Sequence, residues 1–315
     1  MQTVIENQQA APEVAAEVLA GLLSPTKRIA PKYFYDQRGS ELFTAITQLE
    51  EYYIPATERS ILEANRAAIC ERIGPARAVV EPGAGACEKI RWLLPDLAPS
   101  VYMPMDISAE HLAESADVLR EQCPGLNVAP VACDHSAGLQ IADVQALEDP
   151  VFFYPGSSIG NFEPRDVVAF LESMRGAMDS GGGLLIGVDT KKDAAVLNAA
   201  YNDREGITAD FNLNVLAHLN ELLDGDFDLA NFEHSAFYNA AEGRVEMHLR
   251  SRVDQTVSLA GSMVRFARGE TVHTENSYKY APEEFVQLAR KAGLADSGLW
   301  QDARRYFAVM YFAAV

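Results

Sequence analysis

Cysteine is scarce. Cys70, Cys87, Cys123 and Cys133 stand apart with no C-x-x-C pair, far too sparse for the disulfide framework of a secreted scaffold and without the spacing of a zinc set. The six histidines, His111, His135, His218, His234, His248 and His273, show no H-x-H or H-x-x-x-H spacing, so no metal site is expected. Basic residues are outnumbered, 26 against 45 acidic, for a formal net charge of −19, and no run of Lys and Arg offsets it. A polyanion would meet net repulsion, which argues against nucleic acid and an anionic membrane as partners. No 18 apolar residues run together, and the opening MQTVIENQQAAPEVAAEVLAG lacks the basic and apolar regions of a signal peptide. The expectation is a soluble, unprocessed, cytoplasmic chain with reduced thiols. Internal repeats and low-complexity tracts are also absent.

What remains is an ordinary globular composition, 48% apolar and 23% charged over 315 residues, about two domains' worth at roughly 150 residues each. From about residue 76 a repeat of apolar run, turn and helical periodicity predicts stacked βαβ units. Five runs, ARAVVEP, SVYMPMD, LNVAPVACD, PVFFYPG and GGLLIGVD, read as strands of a parallel sheet. Residues 107–122 and 163–179 read as helices, with Val167, Val168, Leu171 and Met174 on one face. After Asp189 the rhythm changes to helices near 193–203 and 210–223, then short alternating segments, with NAAEG (239–243) as a hairpin loop. APEEFVQLARKAG predicts a helix entered at Pro282 and stopped at Gly293, and two strand-like runs close the chain. The fold class expected is α/β, a Rossmann-like sheet flanked by helices with an inserted α+β segment.

The most informative stretch is VVEPGAGACEK, residues 79–89, a strand running through a glycine turn into a helix. Gly83 and Gly85 allow a tight turn and close backbone approach at a helix N-terminus. Glu88 stands where a dinucleotide fingerprint has its third glycine, and Asp106 closes the next strand about twenty residues on, placed to accept ribose hydroxyls. That favours a nucleoside without a pyrophosphate over NAD. Asp134 and Asn161 also follow strands, at the edge where open α/β sheets bind ligands, although Asn161 could equally be a cap or turn residue. Ser158 in GSSIG fits G-x-S-x-G, but the strand-to-loop context argues against a hydrolase elbow.

Eight segments in collinear order carry a more specific signal: KYFYDQRGSELF, EEYYIPATE, VVEPGAGACEK, PMDIS, PGSSIGNF, AYNDREGITADFN, VEMHLRSR and HTENSYKY. In these the chain resembles the bacterial histidine Nα-methyltransferases of ergothioneine biosynthesis, over nearly its whole length after about residue 25. The resemblance implies a class I methyltransferase sheet, S-adenosylmethionine as methyl donor with no metal, and trimethylation of the α-amino group of L-histidine to hercynine. It implies cofactor contacts at Gly83, Gly85, Lys89 and Asp106, with Asp134 and His135 flanking the adenine. Tyr52, Asn161, Tyr201, Met247, Glu275 and Ser277 match residues that hold histidine: Asn161 and Tyr201 at its carboxylate, and Tyr52, Glu275 and Ser277 around the imidazole. Tyr35 and Phe43 would position the amine.

Taken without the resemblance, Glu275 is better read as a solvated strand acid, while Met247 is as well read as core packing and Tyr52 and Tyr201 as boundary tyrosines. The turn GAGACEK replaces a hydroxyl-bearing G-S-G-T-S-E-K, EYYIPATE alters the residues after its tyrosines, and His135 replaces an aromatic or hydrophobic neighbour of the adenine. The expected division is 1–60 as N-terminal helical segment and lid, 61–191 as cofactor core, 192–277 as substrate insert and 278–315 as the return to the core. A monomer acting on a small molecule is expected. The rival expectations are the same scaffold acting on tryptophan, tyrosine or a thiolated histidine, and a non-catalytic S-adenosylmethionine-binding module.

Overall fold

The computed structural model of the chain describes residues 3–75, 78–133, 144, 147–178 and 181–315. Its strands are β1 (Ala78–Pro82), β2 (Val101–Asp106), β3 (Asn127–Val128), β4 (Val131–Ala132), β5 (Pro150–Tyr154) and β6 (Gly183–Asp189). These are followed by β7 (Phe232–Asn239), β8 (Arg244–Ser251), β9 (Gln255–Leu259), β10 (Ser262–Phe266), β11 (Thr271–Tyr278), β12 (Leu294–Gln301) and β13 (Phe307–Ala314). The chain divides into two compact units, one of residues 1–52 with 193–277, the other of residues 53–192 with 278–315.

The second unit holds a sheet of order β12-β13-β6-β5-β1-β2-β3, with β4 also paired to β2. The β1, β2, β5 and β6 pairings are parallel, while β13 runs antiparallel to both β6 and β12. Every residue of β1, β5 and β6 is buried. This explains why those runs are continuously apolar rather than alternating, since helices cover both faces of such a sheet. Val80, Phe152, Ile186, Val167, Leu171 and Met310 meet in one core. LNVAPVACD, read above as one strand, is two short pieces in a common register on β2, Asn127 opposite Val101 and Val131 opposite Met105. The break falls at Pro130, which has no N–H for the ladder. The helix Pro282–Lys291 starts and stops where expected, with the Glu284 carboxylate accepting from the Ala281 N–H at 2.9 Å and Gly293 at φ 77°.

The chain enters this unit at Tyr53, leaves after Lys192 and returns at Tyr278. A buried ionic cluster gathers those three points. The Tyr53 hydroxyl lies 2.8 Å from both oxygens of Asp189, the Lys192 ammonium 2.5 Å from one, and the Lys279 ammonium 2.8 Å from the other. Asp189 and Lys279 are completely buried and Lys192 nearly so. Two cations thus share one carboxylate. Burial pushes the Lys192 ammonium down to about 8, with Asp189 pulling it back up.

In the first unit β11, β8 and β7 form one sheet and β9 pairs with β10. The β7–β8 hairpin turns at NAAEG as expected, with Asn239 opposite Arg244 and Gly243 at φ 68°. The helices near 193–203 and 210–223 are Ala194–Ala200 and Ile207–Leu223. The second begins three residues earlier than expected because the Asp203 carboxylate accepts the N–H groups of Ile207 and Thr208, both at 2.8 Å. Burial opposes ionisation of Asp203, but the hydrogen bonds it accepts from those backbone N–H groups leave its pKa lowered. Asp36 likewise caps the helix Gln37–Ile46 by accepting from the Gly39 N–H at 2.6 Å.

Candidate functional site

A depression in the first unit, about 280 Å³ of empty volume, is lined by Phe43, Ile46, Tyr52, Ala200, Tyr201, Thr208, Phe211, Met247 and Glu275. Five of these are residues singled out from the sequence, Phe43, Tyr52, Tyr201, Met247 and Glu275, drawn from segments far apart along the chain. Glu275 is only 8% exposed, which rejects the solvated strand acid. Ser277 joins the group through a 2.8 Å hydrogen bond from the Tyr201 hydroxyl, and the Tyr52 ring meets Tyr201 edge-on at 6.1 Å. Tyr35 packs edge-on against Phe43 at 5.8 Å, and both rings contact Phe211. One wall is therefore aromatic, another offers a carboxylate and hydroxyls. Such a pocket suits a small planar ring carrying N–H donors.

Sequence reasoning missed Thr208 and Phe211, although both lie in AYNDREGITADFN. Their signal was period: Thr208, Phe211 and Val215 recur at helical spacing and are buried.

The second unit carries the other group. Its strand order reverses between β1 and β5, so the crevice at their C-terminal ends is the topological switch point where open sheets bind ligands. Gly83 (φ 70°) and Gly85 (φ 50°) shape the turn after β1, and Gly83 and Ala84 both donate to the Met105 carbonyl, which ties the turn to β2. Asp106 ends β2 with one oxygen accepting from the Gly85 N–H and the other from the Ser108 N–H, each at 3.0 Å. A carboxylate keeps further lone pairs beyond two such bonds, enough for ribose hydroxyls. Below it Glu81 is buried and accepts from the Tyr102 hydroxyl at 2.6 Å, and burial pushes its carboxyl up to about 8. Lys89 opens the following turn with its ammonium 2.9 Å from Glu58. Asn161 is half-buried at the end of a 3-10 turn after β5 in this unit. Asp134 and His135 lie outside the described residues.

A family model described as histidine-specific methyltransferase, SAM-dependent, matches residues 14–314. The chain belongs to that family. Relatives named histidine N-alpha-methyltransferase, from Mycolicibacterium smegmatis and Mycobacterium tuberculosis, are each 38% identical to it; the first alignment covers 93% of this chain and 92% of the relative, the second 91% and 90%. An L-tryptophan methyltransferase from Psilocybe serbica is 27% identical over 98% of this chain and 95% of that protein. Among solved structures, an S-adenosylmethionine-dependent methyltransferase from Clostridium acetobutylicum shares the fold, with TM-score 0.51 at 12% identity, covering 86% of this chain and 98% of that one. The class I methyltransferase sheet expected from the sequence is therefore the one observed.

In this methyltransferase the glycine turn, Asp106 and Lys89 fit S-adenosylmethionine: a bare-backbone cradle, an acceptor for ribose hydroxyls, and a cation for a carboxylate. Among the described residues no helix is long and apolar enough to cross a membrane.

Tyr201 is held from behind. Asn212, fully buried, donates to His234 Nδ1 at 2.9 Å and to the His248 carbonyl at 3.0 Å, while its oxygen accepts from the Thr274 hydroxyl at 2.8 Å. His234 Nδ1 is thus an acceptor, so the proton sits on Nε2 and is donated to the Tyr201 carbonyl at 2.9 Å. Burial lowers the His234 pKa, against smaller opposing pulls from that carbonyl and Asp203. The unfolded chain takes up this proton first as pH falls, so stability is lost below about 6.5. His234→Gln keeps a donor at the same reach and should flatten that acid slope, whereas His234→Leu should cost about 1–3 kcal/mol at neutral pH by removing the buried hydrogen bond to that carbonyl. Urea midpoints across the acid range check this, and an unchanged slope in the Gln variant would contradict it.

Proposed function

We propose that this enzyme transfers methyl groups from S-adenosylmethionine to the α-amino nitrogen of L-histidine, three times, giving hercynine, the first step of ergothioneine synthesis. The observation that carries the reading is the buried Glu275 in one pocket with Tyr52, Tyr201 and Met247. The mycobacterial relatives are named for histidine, and a 29% identical protein from Neurospora crassa is named ergothioneine biosynthesis protein 1. The bound donor supplies an electrophilic methyl group on a sulfonium. The residues of this chain supply position. Tyr201 takes the substrate carboxylate; Glu275, Ser277 and Tyr52 surround the imidazole; the glycine turn, Asp106 and Lys89 hold the donor. An amine delivered as its free base, in line with the breaking bond and away from water, needs little else. The first unit then reads the acceptor and the second binds the donor.

The test is incubation of the purified protein with labelled S-adenosylmethionine and each amino acid in turn. Three methyl groups on histidine are expected; methylation of another amino acid in preference, or no product at all, would overturn the proposal. As methyl groups accumulate, the nitrogen becomes a fixed cation, and the faces of Tyr35 and Phe43 accommodate it by cation–π contact. Phe43→Ala should therefore stall with mono- and dimethyl products visible by mass spectrometry. Full trimethylation with unaltered affinity for the dimethyl intermediate would count against that role.

A further inference from the structure

Lys89 is a long, flexible side chain in a turn, yet its ammonium has a fixed place. Glu58 holds it. This acid is 1% exposed on the helix Ile54–Ile73. One carboxylate oxygen accepts from Lys89 Nζ at 2.9 Å and the other from the Gly156 N–H at 2.7 Å. A single carboxylate therefore bridges the turn after β1 and the turn after β5, the two sides of the switch-point crevice. Two glycines leave room for the pair. Gly156 has φ 80°, and a methyl group there would lie 2.6 Å from Lys89 Nζ. On β6 a methyl group at Gly187 would collide with the Glu58 carboxylate itself.

We propose that Glu58 is a positioning residue for the methyl donor: it fixes the Lys89 ammonium at the crevice, where that ammonium receives the carboxylate of the donor's amino-acid tail. The inference rests on the proposed cofactor role of Lys89. Glu58 is too buried to touch the ligand, so it acts only through Lys89 and the Gly156 turn. An ammonium has three N–H donors, and a single bond to Glu58 leaves two for the ligand. Fixing the four-carbon stem beforehand removes the ordering cost that a free lysine would incur on binding. Glu58 also opposes an incoming carboxylate by charge, but both of its oxygens are already engaged by donors, so pre-organisation dominates.

Calorimetric titration with S-adenosylhomocysteine and with 5′-methylthioadenosine, which lacks the amino-acid tail, separates positioning from general structure. Glu58→Gln should weaken S-adenosylhomocysteine by about tenfold and leave 5′-methylthioadenosine unchanged, and Lys89→Met should show the same selectivity. Equal weakening of both ligands by Glu58→Gln, or no weakening while Lys89→Met stays selective, overturns the role of Glu58 and leaves Lys89 standing. Loss of selectivity in Lys89→Met overturns the cofactor role of Lys89 and the inference with it. If Glu58→Gln does not fold, Gly156→Ala asks the same question, because its methyl group, 2.6 Å from the ammonium, forces Lys89 out of that place; selective loss of S-adenosylhomocysteine supports the inference, and parallel or absent loss overturns it.

Discussion

Glu275→Ala should lower kcat/KM for L-histidine by about a hundredfold while changing that for L-tryptophan much less. A buried carboxylate facing an imidazole N–H gives a charge-assisted hydrogen bond, and sites built around such a bond reject ligands that cannot make it. Removing it should cost about 2–3 kcal/mol of transition-state binding, and the space vacated relieves crowding for a larger ring. Glu275 lines its pocket with Met247 and Phe211, so the floor left behind is apolar. Glu275→Gln should fall between the two, since an amide oxygen still accepts but carries no charge. Parallel kinetics on both amino acids decide the matter: equal losses on histidine and tryptophan would remove the imidazole-reading role.

The second large effect concerns stability. Asp189→Ala should destabilise the protein by about 3–5 kcal/mol, because it strands two buried ammonium groups without their carboxylate. Lys192→Met should cost far less. It leaves Asp189 and Lys279 as a 2.8 Å pair with the Tyr53 hydroxyl on the same carboxylate, and it removes the cation whose pKa burial has already pushed down to about 8. Chemical denaturation of the two variants at neutral pH compares them directly. If Lys192→Met were as damaging as Asp189→Ala, the account of two cations on one anion would be wrong. The pH dependence has a definite sign as well. Between about 8 and the ordinary 10.5 the folded chain holds fewer protons at Lys192 than the unfolded chain, so wild type should gain stability relative to Lys192→Met as pH rises through that window.

The parallel sheet was legible because fully buried strands leave continuous apolar runs, as in PVFFY and GLLIGVD, and because the turn chemistry of GAGACEK lies close to them in sequence. The NAAEG hairpin was legible for the same local reason. The start of the helix Ile207–Leu223 was not, since the carboxylate that accepts its first N–H groups belongs to Asp203, outside the helix and beyond the N-cap Gly206. Glu58 was also invisible: in sequence it is one acid in a helix rich in charge, and only the fold sets it against Lys89, 31 positions away, and Gly156, 98 away.

By itself the sequence determined the sheet, the glycine turn with Asp106 closing the next strand, and the strongly negative net charge, because periodicity, backbone conformation and charge are properties of short segments or of simple sums. Its eight family strings also singled out Phe43, Tyr52, Tyr201, Met247 and Glu275, which line one pocket of the first unit. Tertiary structure alone decided that Glu275 is buried rather than solvated, that Tyr201 is braced through Ser277 and His234, and that two lysines converge on Asp189. Each of those facts depends on which distant groups exclude water from one another, and desolvation is set by packing in three dimensions, not by neighbours along the chain.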